Sequence, residues 1–103
     1  MNMTELSFKS LIIICANPGI TITEFSKKLW VDNPSWDEAR QDGKGKGYKV
    51  IRMGQDYLGR LLKTGWVEQT YRNTGISKSN RRFYITKLGM AAMLNWHAKT
   101  TEK

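Results

Sequence analysis

Residue types that carry covalent or metal chemistry are scarce in this chain, and that scarcity narrows its function before any fold is considered. Its 103 residues include a single cysteine, Cys15, and a single histidine, His97. One cysteine can form neither an internal disulfide nor a multi-cysteine zinc site. Cys15 also closes the apolar run Leu11-Ile12-Ile13-Ile14-Cys15, which points to a buried, inert thiol. One histidine near the C-terminus leaves no base for a nucleophilic triad and no multi-histidine metal site. Asp32, Asp37, Glu38 and Asp42 lie close in sequence but along an irregular stretch, so solvated loop charge accounts for them better than a nuclease-type metal centre. Gly43-Lys44-Gly45-Lys46-Gly47 lacks the spacing and the Lys-Ser/Thr pair of a phosphate loop and reads as a flexible basic linker. The expectation is a protein with no enzymatic activity, no metal and no cofactor.

The chemistry that is present is cationic. Seventeen Lys and Arg against nine Asp and Glu give a net charge of +8, which favours polyanionic partners. Between Lys44 and Arg82 lie ten basic residues (Lys44, Lys46, Lys49, Arg52, Arg60, Lys63, Arg72, Lys78, Arg81 and Arg82) and two acidic ones, Asp56 and Glu68. The rest of the chain is neutral, so all of the net charge sits in one segment. The apolar run near the N-terminus is far too short to span a bilayer, and it lacks the flanks of a signal peptide. The expected location is the cytoplasm, in association with the nucleoid.

Four helices and one hairpin must position that charge. Thr4 caps a first helix, whose apolar surface comes from Leu6, Leu11, Ile12, Ile14 and Cys15, and Asn17-Pro18-Gly19 ends it. Ile20 suits a short extended piece. Thr21 and Glu24 read as a capping box for a second helix carrying Ile22, Phe25 and Leu29 on one face, with Lys27 and Lys28 facing water. Residues 31–47 form a long loop, with a helical turn expected at Asp37–Arg40. A third helix spans Tyr48 to Lys63. Gly47, Ile51, Gly54, Leu58, Leu61 and Leu62 fall on one face, and Lys49, Arg52, Met53, Asp56, Arg60 and Lys63 on the other. Gly65 ends it. Trp66–Arg72 and Arg81–Ile85 read as two strands of a hairpin with a polar tip, and Thr86 caps a last helix through about Trp96 that carries Leu88, Ala91, Ala92 and Leu94. Residues 97–103 read as a frayed tail. The whole is one mainly α domain over 1–103, with its core at about 4–96 and a small antiparallel β-hairpin.

Three blocks in this order carry a resemblance: Pro18-Gly19-Ile20-Thr21 leading to Glu24-Phe25 and Lys28-Leu29; Leu58 to Val67; and Arg81 to Gly89. Over residues 4–96 the chain resembles the winged helix-turn-helix family of DNA-binding domains. The resemblance implies that the third helix is a recognition helix and that the hairpin at about 66–86 is the wing. The chain departs from the family in the 31–47 connection, where a turn of a few residues is usual.

A recognition helix enters the major groove with the exposed residues of its N-terminal part against base edges. Those residues are Lys46, Lys49, Arg52 and Met53, with Lys49 and Arg52 suited to the acceptor edge of guanine. Arg60 and Lys63 suit phosphates, and a four-residue spacing lets Asp56 pair with Arg60. The wing adds Arg72, Lys78, Arg81 and Arg82, and Lys44 extends the set as part of a basic arm. The expected function is sequence-dependent binding of double-stranded DNA, as a transcriptional regulator or an accessory factor of replication or a mobile element. The alternative is a protein–protein interaction module that uses the 31–47 loop and the wing on an acidic partner. Trp30 and Trp66 are expected in the core, and Trp36 either pins the long loop or faces a partner. Trp96, with Met90, Met93 and Leu94, completes the core or forms a homodimer face on the terminal helices.

Overall fold

The computed structural model describes residues 2–37, 47–71 and 81–101. Thr4 opens helix α1 (Glu5–Ala16): its hydroxyl accepts from the Ser7 amide at 3.1 Å while the Ser7 hydroxyl accepts from the Thr4 amide at 2.7 Å. This reciprocal pairing satisfies two backbone donors that a helix start leaves open. Leu11 and Ile14 of α1 are fully buried, whereas Leu6 and Ile12, expected on the same apolar surface, are partly exposed. Cys15 is half-buried, with its sulfur 4.0 Å from that of Met90.

Helix α2 (Ile22–Leu29) starts at Thr21, whose hydroxyl accepts from the Glu24 amide at 3.2 Å. The box expected here closes differently. The Glu24 carboxylate accepts from the Thr21 hydroxyl at 2.8 Å, not from its backbone amide, and lies 3.9 Å from Arg82. Phe25, Ser26 and Leu29 are buried, and Lys27 and Lys28 face water as the spacing requires.

After α2 a 3-10 turn forms at Pro34–Asp37, where Pro34 suits the first position of such a turn and the Asn33 carbonyl accepts from the Trp36 amide; the turn expected at 37–40 falls, beyond Asp37, outside the described residues. Helix α3 spans Tyr48–Thr64 and buries Val50, Gly54, Tyr57, Leu58 and Leu61. Its buried face is therefore rotated from the expected one: Val50 and Tyr57 are inside, while Ile51 and Leu62 are half-buried. The cause is the crossing with α2. A side chain at Gly54 would collide with the Ser26 hydroxyl, so two small residues let the helices touch there.

The Gly65 amide donates to the Leu62 carbonyl, closing α3, and the chain enters β1 (Val67–Tyr71), which pairs antiparallel with β2 (Arg81–Ile85). Ile20 adds a bridge on the free edge of β2: Gly19 N–H donates to the Phe83 carbonyl and Phe83 N–H to the Ile20 carbonyl, both at 3.0 Å. The extended piece expected at Ile20 thus belongs to the wing.

Thr86 caps α4 (Lys87–Thr101), accepting from the Gly89 amide at 3.0 Å while donating to the Gly65 carbonyl at 2.6 Å. The helix continues to Thr101 instead of fraying after Trp96. No glycine or proline follows Trp96 within it, and His97 stacks on Phe8 of α1 with ring centroids 6.2 Å apart. Phe8 meets His97 and Cys15 meets Met90, so α1 and α4 run antiparallel.

One core joins these elements: Leu11, Ile14, Ile20, Phe25, Leu29, Tyr57, Leu58, Leu61, Val67, Phe83 and Met93. Trp30 and Trp66 are half-buried against it. Leu88 and Leu94, expected on the apolar face of α4, are 58% and 59% exposed, because the helix turns Gly89 and Met93 inward.

Candidate nucleic-acid interface

Burying Val50, Gly54, Tyr57, Leu58 and Leu61 on one side of α3 forces the rest of the helix outward. Lys49, Arg52, Gln55, Asp56, Arg60 and Lys63 are exposed, and Met53 is 41% exposed. Four cations thus face solvent along this helix with one acid between them. Among the described residues Asp56 and Arg60 form no ion pair, consistent with the small value of such surface pairs, about 0.3–0.5 kcal/mol.

Toward the N-terminal end of that face, Tyr48, Ile51, Arg52, Gln55 and Asp56 line a hollow of about 420 Å³. Gln55 was missed from sequence, although it follows Arg52 by three residues and so must neighbour it on the helix. Its amide presents a donor and an acceptor side by side, the pattern that matches the edge of adenine.

The hairpin arginines are placed differently. Arg81 is half-buried; its Nε donates to Gln69 Oε1 at 2.7 Å and its guanidinium lies 5.3 Å from the centre of the Phe83 ring. Arg82 donates from Nη1 to the Gly19 carbonyl at 3.1 Å and lies 3.9 Å from Glu24. Arg81 thus ties β2 to β1 near the tip-side end of the ladder, and Arg82 ties β2 to the segment before α2 while keeping 42% of its side chain in water. Lys44, Lys46, Arg72 and Lys78 fall outside the described residues.

Two solved structures share this arrangement. Wild type MarR in its apo form from E. coli superposes with a TM-score of 0.66 at 21% identity, covering 97% of this chain and 59% of that one. A MarR family transcription regulator superposes with a TM-score of 0.62 at 15% identity, covering 95% and 52%. The fold is a winged helix-turn-helix. Identity this low makes the likeness one of architecture, and the chain spans just over half the length of the two structures. No protein-family model and no curated protein sequence matches the chain.

In this winged-helix domain α2 and α3 are the helix pair, β1 and β2 the wing, and α1 and α4 the terminal helices beneath. Trp36, at the head of the long connection, pins it to the body: its indole lies against Gly47 and its Nε1–H donates to the Trp30 carbonyl. Among the described residues no group of three His, Cys, Asp or Glu could hold a metal ion, and no helix is long and apolar enough to cross a membrane.

Proposed function

We propose that this protein binds double-stranded DNA in a sequence-dependent way through the outward face of α3, as a regulator of transcription or an accessory factor of replication or a mobile element, without catalytic chemistry of its own. The observation that carries the reading is the sidedness of α3. Its apolar residues enter the core, and Lys49, Arg52, Met53 and Gln55 occupy the opposite side at the end that meets base edges in helix-turn-helix proteins. Arg60 and Lys63 lie further along, where a phosphate strand would pass. Lys44, Lys46, Arg72 and Lys78 are proposed as additional phosphate contacts. Arg81 and Arg82 contribute mainly by holding the hairpin in place. That the superposed structures include a transcription regulator favours this reading.

A homodimer through the terminal helices belongs to the same proposal. Leu6 and Ile12 on α1, and Leu88 and Leu94 on α4, present apolar surface that the monomer leaves uncovered. Two copies would read paired half-sites.

A mobility-shift titration with random duplex DNA at two salt concentrations tests the reading. Affinity is expected to fall by about 10³-fold between roughly 50 and 200 mM salt if six or more phosphates are contacted. Arg52→Ala is expected to weaken the complex. Absence of any shift at the lower salt would overturn the proposal in favour of a protein partner.

A further inference from the structure

Helix α3 begins at a residue that cannot cap it through a side chain. Its N-cap is Gly47, which has no side chain to accept an amide, and its first turn contains no acidic residue but includes Lys49. Yet Gly47 and Val50 are buried. Among the described residues, the indole of Trp36 stands over this end. A Cβ at Gly47 would collide with the six-membered ring, and the residue adopts φ +77°, a conformation that favours glycine.

The indole is itself held. Trp36 Nε1–H donates to the Trp30 carbonyl at 2.7 Å, and Trp30 is the residue that closes α2. The same carbonyl accepts from the Asn33 amide at 3.1 Å, and the Asn33 side chain accepts from the Ser35 amide at 2.9 Å, which shapes the turn presenting Trp36. The Trp30 ring packs edge-on against Phe25 of α2 and Tyr57 of α3, each with centroids 6.4 Å away. The end of α2 therefore reaches α3 twice, at its middle through Trp30 and at its start through Trp36.

We infer that Trp36 is a positioning residue: it fixes the first turn of α3 against the end of α2 and so sets the direction in which Lys49, Arg52 and Met53 face a duplex. The inference rests on the DNA-binding reading of α3. The lever makes the effect large. From the Gly54 crossing to Gly47 is two turns of helix, about 10 Å, so a tilt of roughly 10° moves the first turn by about 2 Å. That exceeds the range over which a hydrogen bond to a base edge survives, and a recognition group needs support of this kind to hold its geometry.

Two measurements on wild type, Trp36→Ala and Trp36→Phe test it. Amide hydrogen exchange should show the Ile51–Met53 amides losing about tenfold or more of their protection in Trp36→Ala, while those of Leu58–Leu62 change by less than about twofold. The ratio of affinities for a duplex enriched by selection and for a random duplex should fall about tenfold in the same variant. Unchanged protection at Ile51–Met53 overturns the inference. So does lost protection with an unchanged ratio, including the case where both affinities drop together, as a merely structural role requires. If Trp36→Ala does not fold, Trp36→Phe decides, since it keeps a ring and deletes the donor. Its ratio should fall about threefold, and an unchanged ratio again overturns the role. Wild type that binds neither duplex overturns the DNA-binding reading itself, and with it the role of Trp36; failure in the variants alone overturns only the role.

Discussion

Arg52 and Arg60 carry the same guanidinium on the exposed side of α3, about two turns apart, and under the proposed DNA-binding function their distance from the helix start gives them different tasks. Arg52→Ala is expected to cost about 1–3 kcal/mol of binding and to relax the preference at one base position. Arg60→Ala should weaken binding to every sequence alike and reduce the slope of log affinity against log salt by about one. Titrations of both variants against matched and mismatched duplexes at several salt concentrations separate the two. Gln55 belongs with Arg52, so Gln55→Ala should change sequence preference with little effect on the salt slope. Arg82 is a different case. Its hydrogen bond to the Gly19 carbonyl is partly exposed, so Arg82→Ala should lower stability in urea unfolding by less than about 1 kcal/mol.

Elements in this molecule are held by small residues and threonines as much as by the apolar core. Gly54→Ala adds a methyl group where the Ser26 hydroxyl already sits; the gain in helix propensity, up to about 1 kcal/mol, is outweighed by overpacking of about 1–3 kcal/mol. A lowered melting temperature by calorimetry, with partial recovery in Gly54→Ala combined with Ser26→Gly, is the expected outcome. Thr86→Val should also destabilise, by about 1–2 kcal/mol in urea unfolding, because one hydroxyl both caps α4 and donates to the Gly65 carbonyl. Much at this scale was legible in the residues themselves. Thr4, Thr21 and Thr86 each cap a helix through local chemistry, and Pro18-Gly19 and Gly65 each stop one. The buried side of α3 was less legible, since Val50 and Tyr57 enter the core only because Ser26 meets Gly54 across two helices. Leu6, Ile12, Leu88 and Leu94 look like core residues by type, yet the axial rotation of their helices is decided by distant contacts. The bonding of Arg82 to a carbonyl 63 residues away has no local signal at all.

At the scale of the molecule, the four outward cations of α3 and the exposed leucines of α1 and α4 sit on different elements. If copies associate through those terminal helices, Leu94→Glu should shift the sedimentation coefficient toward the monomer and remove the dependence of the unfolding midpoint on protein concentration. The same variant should weaken binding to a duplex with two half-sites far more than to one with a single half-site.

The strand-like link at Ile20 carries a mechanical implication. Two backbone hydrogen bonds couple the segment leading into α2 with the middle of β2, and Arg82 adds a third tie to Gly19. The wing is therefore tied to the helix pair at the middle of β2. Hairpin and helix pair arrive at any docking event already preorganised at that joint, so no entropy of ordering is owed there and encounter with a rigid surface can proceed without a prior rearrangement.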